Sequence, residues 1–346
     1  MTLKSPKSKR IVKRVPKDAD HEHGIIDAEN IPVDEPCIVA IGGERTISRR
    51  HANYYASILN RLLSAYKIDD IGIYSAYYNF KNTDRESERA QLFRVAQSRL
   101  EQRVGMSPMA RNKYIRDLYR HIIFPRIVTS DNKRFSDADA TQNMRRIMIF
   151  THCHGAAIVR AFQEMTISDM RKYGYDDKGI AQIMHGLLVV QHAPAAPIKN
   201  SLFNTVSFMS ANDTRMNFHD AFSQYLSEHD EDLMPSYFRS SNLFAAYRLT
   251  NTFHNEHQII GLVPNEDTDI MTPDGAIIMA AERNTIINGV KSMANPNKKP
   301  LSIRELIAAA SPDDIVRPDF NELKSSGDFF MYVMRNDLRK NRLKTR

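Results

Sequence analysis

Short unbroken apolar runs alternate along this chain with longer segments whose apolar residues recur every three or four positions. That is the rhythm of an α/β protein. Cys37-Ile38-Val39-Ala40-Ile41 contains no polar side chain and stops at Gly42-Gly43, which predicts a strand buried on both faces. Residues 47–66 carry Ile58, Leu59, Leu62 and Leu63 at helical spacing, and Ile71-Gly72-Ile73-Tyr74-Ser75 predicts the next strand. Residues 85–103 and 109–122 read as helices charged on one face, within an insertion at about 80–136. A helix over 137–145 leads into a strand over 146–150, and further strands are expected at 187–191, 205–209 and 243–249. The connections are long enough for right-handed crossovers, so a mostly parallel central sheet flanked by helices is the expected fold.

The segment richest in chemistry joins the strand over 146–150 to the helix opened by Gly155-Ala156-Ala157-Ile158. Between them lie Thr151-His152-Cys153-His154. So tight a turn lifts the side chain at its apex above the sheet, and the position two residues on must be small to let helix and strand approach. The incoming helix also presents unpaired backbone N–H groups, so the His154 amide is a candidate oxyanion donor. A thiol at the apex needs less activation than a hydroxyl, because thiolate is the more accessible nucleophile near neutral pH.

Thr151-His152-Cys153-His154-Gly155 resembles the nucleophile elbow, G-x-S-x-G, of the α/β-hydrolase fold superfamily. Thr151 stands in place of the first glycine and Cys153 in place of the serine. Members such as dienelactone hydrolases and polyhydroxyalkanoate synthases also carry cysteine at that position. The resemblance covers about residues 36–290 and rests on the order of motifs. It implies an α/β-hydrolase-like fold with the helical insertion ahead of the elbow strand, and the chain order nucleophile, acid, histidine. Asp213, after the strand at 205–209, takes the place of the acid, and His254 or His257, after the strand at 243–249, that of the base. His257 is preferred because the apolar Ile259-Ile260 follows it and anchors the loop. The second oxyanion amide is expected from Gly43 or Glu44, after the first strand. The implied activity is hydrolysis or acyl transfer on an ester or thioester, through a Cys-His-Asp triad, a covalent acyl-enzyme and no cofactor. The short link over 191–197, ahead of the strand at 205, leaves no room for the lid such folds carry there, so the insertion is the candidate cover, with Tyr77, Tyr78, Phe80 and Phe93 as candidates to line an acyl pocket.

Composition narrows the alternatives. The chain has 346 residues, 42% hydrophobic and 26% charged, ordinary for a globular protein. It holds no apolar run long enough to span a membrane and no apolar segment of the signal-peptide kind. Its two cysteines match no metal or redox spacing, which makes the cytoplasm the expected compartment. The net charge of +7 is carried by the ends. The first seventeen residues hold seven bases and no acid, and residues 335–346 hold six bases against Asp337. The ends thus supply +12 and the stretch between them −5. This predicts a basic disordered arm over 1–30, a core domain over 31–299 and a helical appendage with a basic end over 300–346. The ends could meet an acidic or polyanionic partner. Two other readings stay open. One is a hydrolase-like interaction module without catalysis. The other is a metal site drawn from His152, Cys153, His154, His185 and His192. A nucleotide site is set aside, because neither G-x-G-x-x-G nor G-x-x-x-x-G-K-[ST] occurs.

Overall fold

The computed structural model describes residues 10–15, 24–43, 46, 48–78, 110, 112–194, 201–210, 242–247, 262, 273–297, 301 and 305. Its strands are β1 (Ile11–Arg14), β2 (Ile25–Ala28), β3 (Cys37–Ile41), β4 (Gly72–Ala76), β5 (Ile147–His152), β6 (Leu188–His192), β7 (Asn204–Ser210) and β8 (Asn242–Tyr247). They form one sheet in the order β2-β1-β4-β3-β5-β6-β7-β8. From β4 to β8 every neighbouring pair is parallel, and β1 is antiparallel to both β2 and β4. The helices are α1 (Arg49–Ala65), α2 (Lys113–Ile122), α3 (Asp137–Arg145), α4 (Gly155–Lys172), α5 (Asp177–His185) and α6 (Pro273–Met293).

Alternation along each strand decides which helix covers which face. Val39, Ile41, Ile147, Ile149 and Val189 point to one side, where α2, α3, α4 and α5 bury Leu118, Met144, Phe162 and Ile183 against them. Ile38, Ala40, Met148, Phe150 and Val190 point to the other, against Leu59 and Leu62 of α1 and Ile286 and Val290 of α6. Both faces are covered, which is why β3 is apolar at all five positions. The helices α1, α2, α3 and α5 begin where a side chain accepts one of their free amides. Ser136 accepts from Asp139 N at 3.1 Å and Asp176 from Gly179 N at 2.6 Å, so the start of α3 matches its sequence pattern.

The winding reverses in the middle of the sheet. From β3 the chain crosses through α1 to β4 on one side, and from β5 it crosses through α4 and α5 to β6 on the other. The loops leaving β3 and β5 therefore diverge and open a crevice at the carboxyl ends of these two strands. Gly42-Gly43 and Cys153 are those loops.

The basic N-terminus departs from the expectation of a disordered arm, for β1 and β2 lie within residues 1–30. Ile11 and Val12 are fully buried, and an apolar pair of that kind suffices for a short strand once a neighbouring edge is available. Its bases serve the fold too. The Arg10 guanidinium lies 3.6 Å from the Tyr114 ring centre, and Arg14 Nη1 donates to the Gly24 carbonyl at 3.0 Å. The described part of the expected insertion, α2, packs with α4 against one face of the sheet.

Candidate functional site

Cys153 is held in the left-handed region, φ 50°, between the last residue of β5 and the His154 cap of α4. A side chain at that φ costs about 1–3 kcal/mol. The turn is fixed from both sides, since Cys153 N–H donates to the His192 carbonyl at 3.1 Å and Ala156 N–H to the Cys153 carbonyl at 3.2 Å. Gly155 is required. A Cβ there would overlap the Ile41 carbonyl oxygen and stand 3.0 Å from that of Gly42. The helix therefore starts hard against β3, as the elbow resemblance demands.

Across the crevice, Gly43 faces the elbow. A Cβ on it would lie 3.3 Å from Cys153 Cβ and 3.5 Å from His152 Nδ1. The loop is strutted by Tyr78, whose hydroxyl reaches the Gly42 carbonyl at 2.6 Å and that of Gly43 at 2.8 Å. Tyr78, expected to line an acyl pocket, spends its polar end on holding this loop. The Gly43 amide donates to Tyr55 Oη at 3.1 Å, and that oxygen is hydrogen-bonded to His152 Nδ1 at 2.8 Å. Burial pushes the Tyr55 phenol up to about 12, the Gly43 amide draws it partly back, and Cys153 raises it again.

The structure thus gathers Cys153, His154 and Gly43 at one crevice. Glu44, Asp213, His254 and His257 lie outside the described residues. The strands that precede the last three are described. Both β7, ending at Ser210, and β8, ending at Tyr247, run parallel to β5, so their carboxyl ends open on the same edge of the sheet as the elbow.

One arrangement was not legible in the sequence. His192 closes β6 opposite His152, and its Nδ1 lies 2.9 Å from Glu282 Oε2 of α6. Both side chains are buried, at 2% and 0% exposure. His192 Nε2 has no hydrogen-bond partner among the described residues, and the His152 and His192 rings are 5.6 Å apart. In sequence His192 suggested only a metal ligand, and Glu282, 90 residues further on, carried no signal. Tyr55 was equally silent, because a tyrosine on the apolar face of a helix reads as core. Among the described residues no group of three or more His, Cys, Asp or Glu could hold a metal ion. His185 lines a small pocket at the opposite edge, with Arg145, Ile147 and Leu188, away from Cys153.

A mostly parallel sheet covered on both faces, with a strained turn after β5 and a glycine loop after β3, defines an α/β-hydrolase-like fold. No protein-family model matches the chain and no curated protein sequence matches it. Among solved structures it is similar to a putative carboxylesterase from Lactobacillus plantarum WCFS1, with 11% identity, TM-score 0.33, and 70% of this chain and 87% of the other covered. A lipase/esterase from Lactobacillus plantarum matches at 11% identity and TM-score 0.34, covering 71% and 91%. An arylesterase matches at 12% identity and TM-score 0.30, covering 71% and 78%. No helix among the described residues is long and apolar enough to cross a membrane.

Proposed function

We propose that the chain is a thiol-dependent hydrolase or acyltransferase for esters or thioesters, with Cys153 as nucleophile. The observation that supports this is the placement of Cys153 in a left-handed turn at the point where the sheet's winding reverses. Strain held at such a position is the mark of a site rather than of packing. As Sγ bonds to the carbonyl carbon, the thiol proton passes to an imidazole and the carbonyl π pair moves onto oxygen. Collapse of this adduct breaks the bond to the alcohol or thiol, which leaves with the imidazole's proton, and the acyl group remains on Cys153. Water or another acceptor, deprotonated by the same imidazole, then releases it. In this reading His257 or His254 is the imidazole and Asp213 orients it, with the His154 amide and that of Gly43 or Glu44 facing the oxyanion.

The test is intact-mass analysis after incubation with a p-nitrophenyl ester and with an acyl thioester, alongside steady-state turnover. The expected result is one acyl group, mapped to Cys153, and a fall in kcat of about 10⁴-fold or more for Cys153→Ala. Its melting temperature should stay within a few degrees of the parent. Acylation equal at Cys37 and Cys153 would leave a hydrolase-like interaction module as the better account, and unchanged turnover in Cys153→Ala would move the chemistry to a residue other than Cys153.

A second reading of the base rests on the His192–Glu282 pair. A carboxyl on Nδ1 with Nε2 unpartnered is the arrangement an oriented base requires. Comparing His192→Gln with His257→Gln and His254→Gln decides it, for only loss of the true base abolishes acylation.

A further inference from the structure

We propose that the Tyr55 hydroxyl, polarised by the Gly43 amide, is a catalytic oxyanion donor at Cys153. The inference rests on the thiol-hydrolase reading and changes its chemistry in one respect. The expected second donor was a backbone N–H of the Gly43 loop, yet the Gly43 N–H is already directed at Tyr55 Oη, 3.1 Å away. That oxygen lies 3.8 Å from where a Gly43 Cβ would stand, and Cys153 Cβ lies 3.3 Å from the same point. Tyr55 Oη and Cys153 Cβ therefore border the same Gly43 position, and Cys153 raises the Tyr55 phenol.

An oxygen that accepts from an amide is left with its own proton to give, and the acceptance strengthens that gift. In the free protein the oxygen also meets His152 Nδ1 at 2.8 Å. Rotation about the Cζ–Oη bond turns the hydroxyl proton from His152 towards a carbonyl oxygen held at Cys153. When Sγ adds to the carbonyl carbon and the π pair moves onto oxygen, the Tyr55 O–H donates to that oxygen and keeps its proton. Collapse of the adduct returns the pair, and the hydroxyl turns back to His152. The chain Gly43 N–H to Tyr55 O–H to oxyanion thus delivers the loop's dipole through a buried phenol. Burial of Tyr55 in the cluster with Ile38, Leu59 and Phe150 fixes the ring in advance, so no reorganisation is needed in the transition state. A phenol raised to about 12 stays protonated, and so able to donate, throughout the working range of such an enzyme.

The decisive variant is Tyr55→Phe, measured by two reactions of the same thiol. Acylation by a p-nitrophenyl ester passes through an oxyanion, whereas alkylation by iodoacetamide does not. The expected result is acylation and kcat reduced about 10²–10³-fold, KM within a few fold, and alkylation of Cys153 unchanged. Equal loss in both reactions, or loss in neither, would overturn the proposal. A Tyr55→Phe protein that does not fold leaves a second measurement, 3-fluorotyrosine placed at position 55. Its more acidic phenol should bring an alkaline fall in acylation at a lower pH than the parent protein shows, and an unchanged profile would overturn the proposal. Cys153→Ala separates the two levels. Full turnover in that variant refutes the thiol-hydrolase reading itself, while an inert Cys153→Ala beside a fully active Tyr55→Phe refutes only the phenol.

Discussion

Cys37 opens β3 and Cys153 follows the last residue of β5, so the two thiols stand at opposite edges of adjacent parallel strands. Cys37 is 1% exposed, and burial raises its thiol despite the nearby Arg126 guanidinium. Arg126 is buried as well. It donates to the carbonyls of Pro32 at 3.0 Å, Asn143 at 3.1 Å and Val33 at 3.3 Å, and approaches Cys37 Sγ at 3.6 Å. Every polar direction around Cys37 is thus closed by the fold. Cys153 is half-buried on a strained backbone, facing a loop whose amide and carbonyls are held by two tyrosines. One edge of the sheet is built for stability, and the other spends stability to present a group.

Reactivity should expose that contrast most strongly. Native protein treated with iodoacetamide should be alkylated at Cys153, while Cys37 waits for the sheet to open, a delay of about a thousandfold or more. Peptide mapping over time gives both rates, and comparable rates would erase the difference between the edges.

A smaller effect concerns the elbow's geometry. Gly155→Ala should lower stability by roughly 1–3 kcal/mol, because its methyl group meets the Ile41 carbonyl and forces α4 away from β3. Denaturant midpoints measure this, and a neutral result would mean that α4 does not start against β3.

The smallest effect is alkaline. Burial raises Tyr55 at the crevice and Tyr175 in the opposite layer to about 12. A phenol whose folded value exceeds its ordinary value near 10 adds stability that is complete below pH 10 and lost as pH climbs to 12. The melting temperature should fall across that interval, and Tyr175→Phe, which cannot ionise there, should fall less steeply. Parallel curves would mean that Tyr175 ionises in the folded protein as it does in water.

Local pattern explains the part of this architecture that was legible beforehand. The unbroken run at Cys37–Ile41 announced a strand covered on both faces, and the 137–145 pattern matched α3. The strand over 146–150 was found but ends later, at His152, because His152 still pairs with His192 across the sheet. Counting charge misled at the N-terminus, where seven bases concealed an apolar pair that a sheet edge could use.

The sequence by itself determined the α/β class and the tight cysteine-bearing turn with its obligatory small residue. Each rests on residues within a few positions of one another, where periodicity and steric demand act directly. Only the tertiary structure decided what stands around that turn. Tyr55 meets His152 across 97 residues and His192 meets Glu282 across 90. Such pairs leave no periodic trace, because they follow from which strand lies beside which and where the winding reverses. A buried tyrosine and a strand-end histidine look like core and coincidence until the sheet order sets them beside the same thiol.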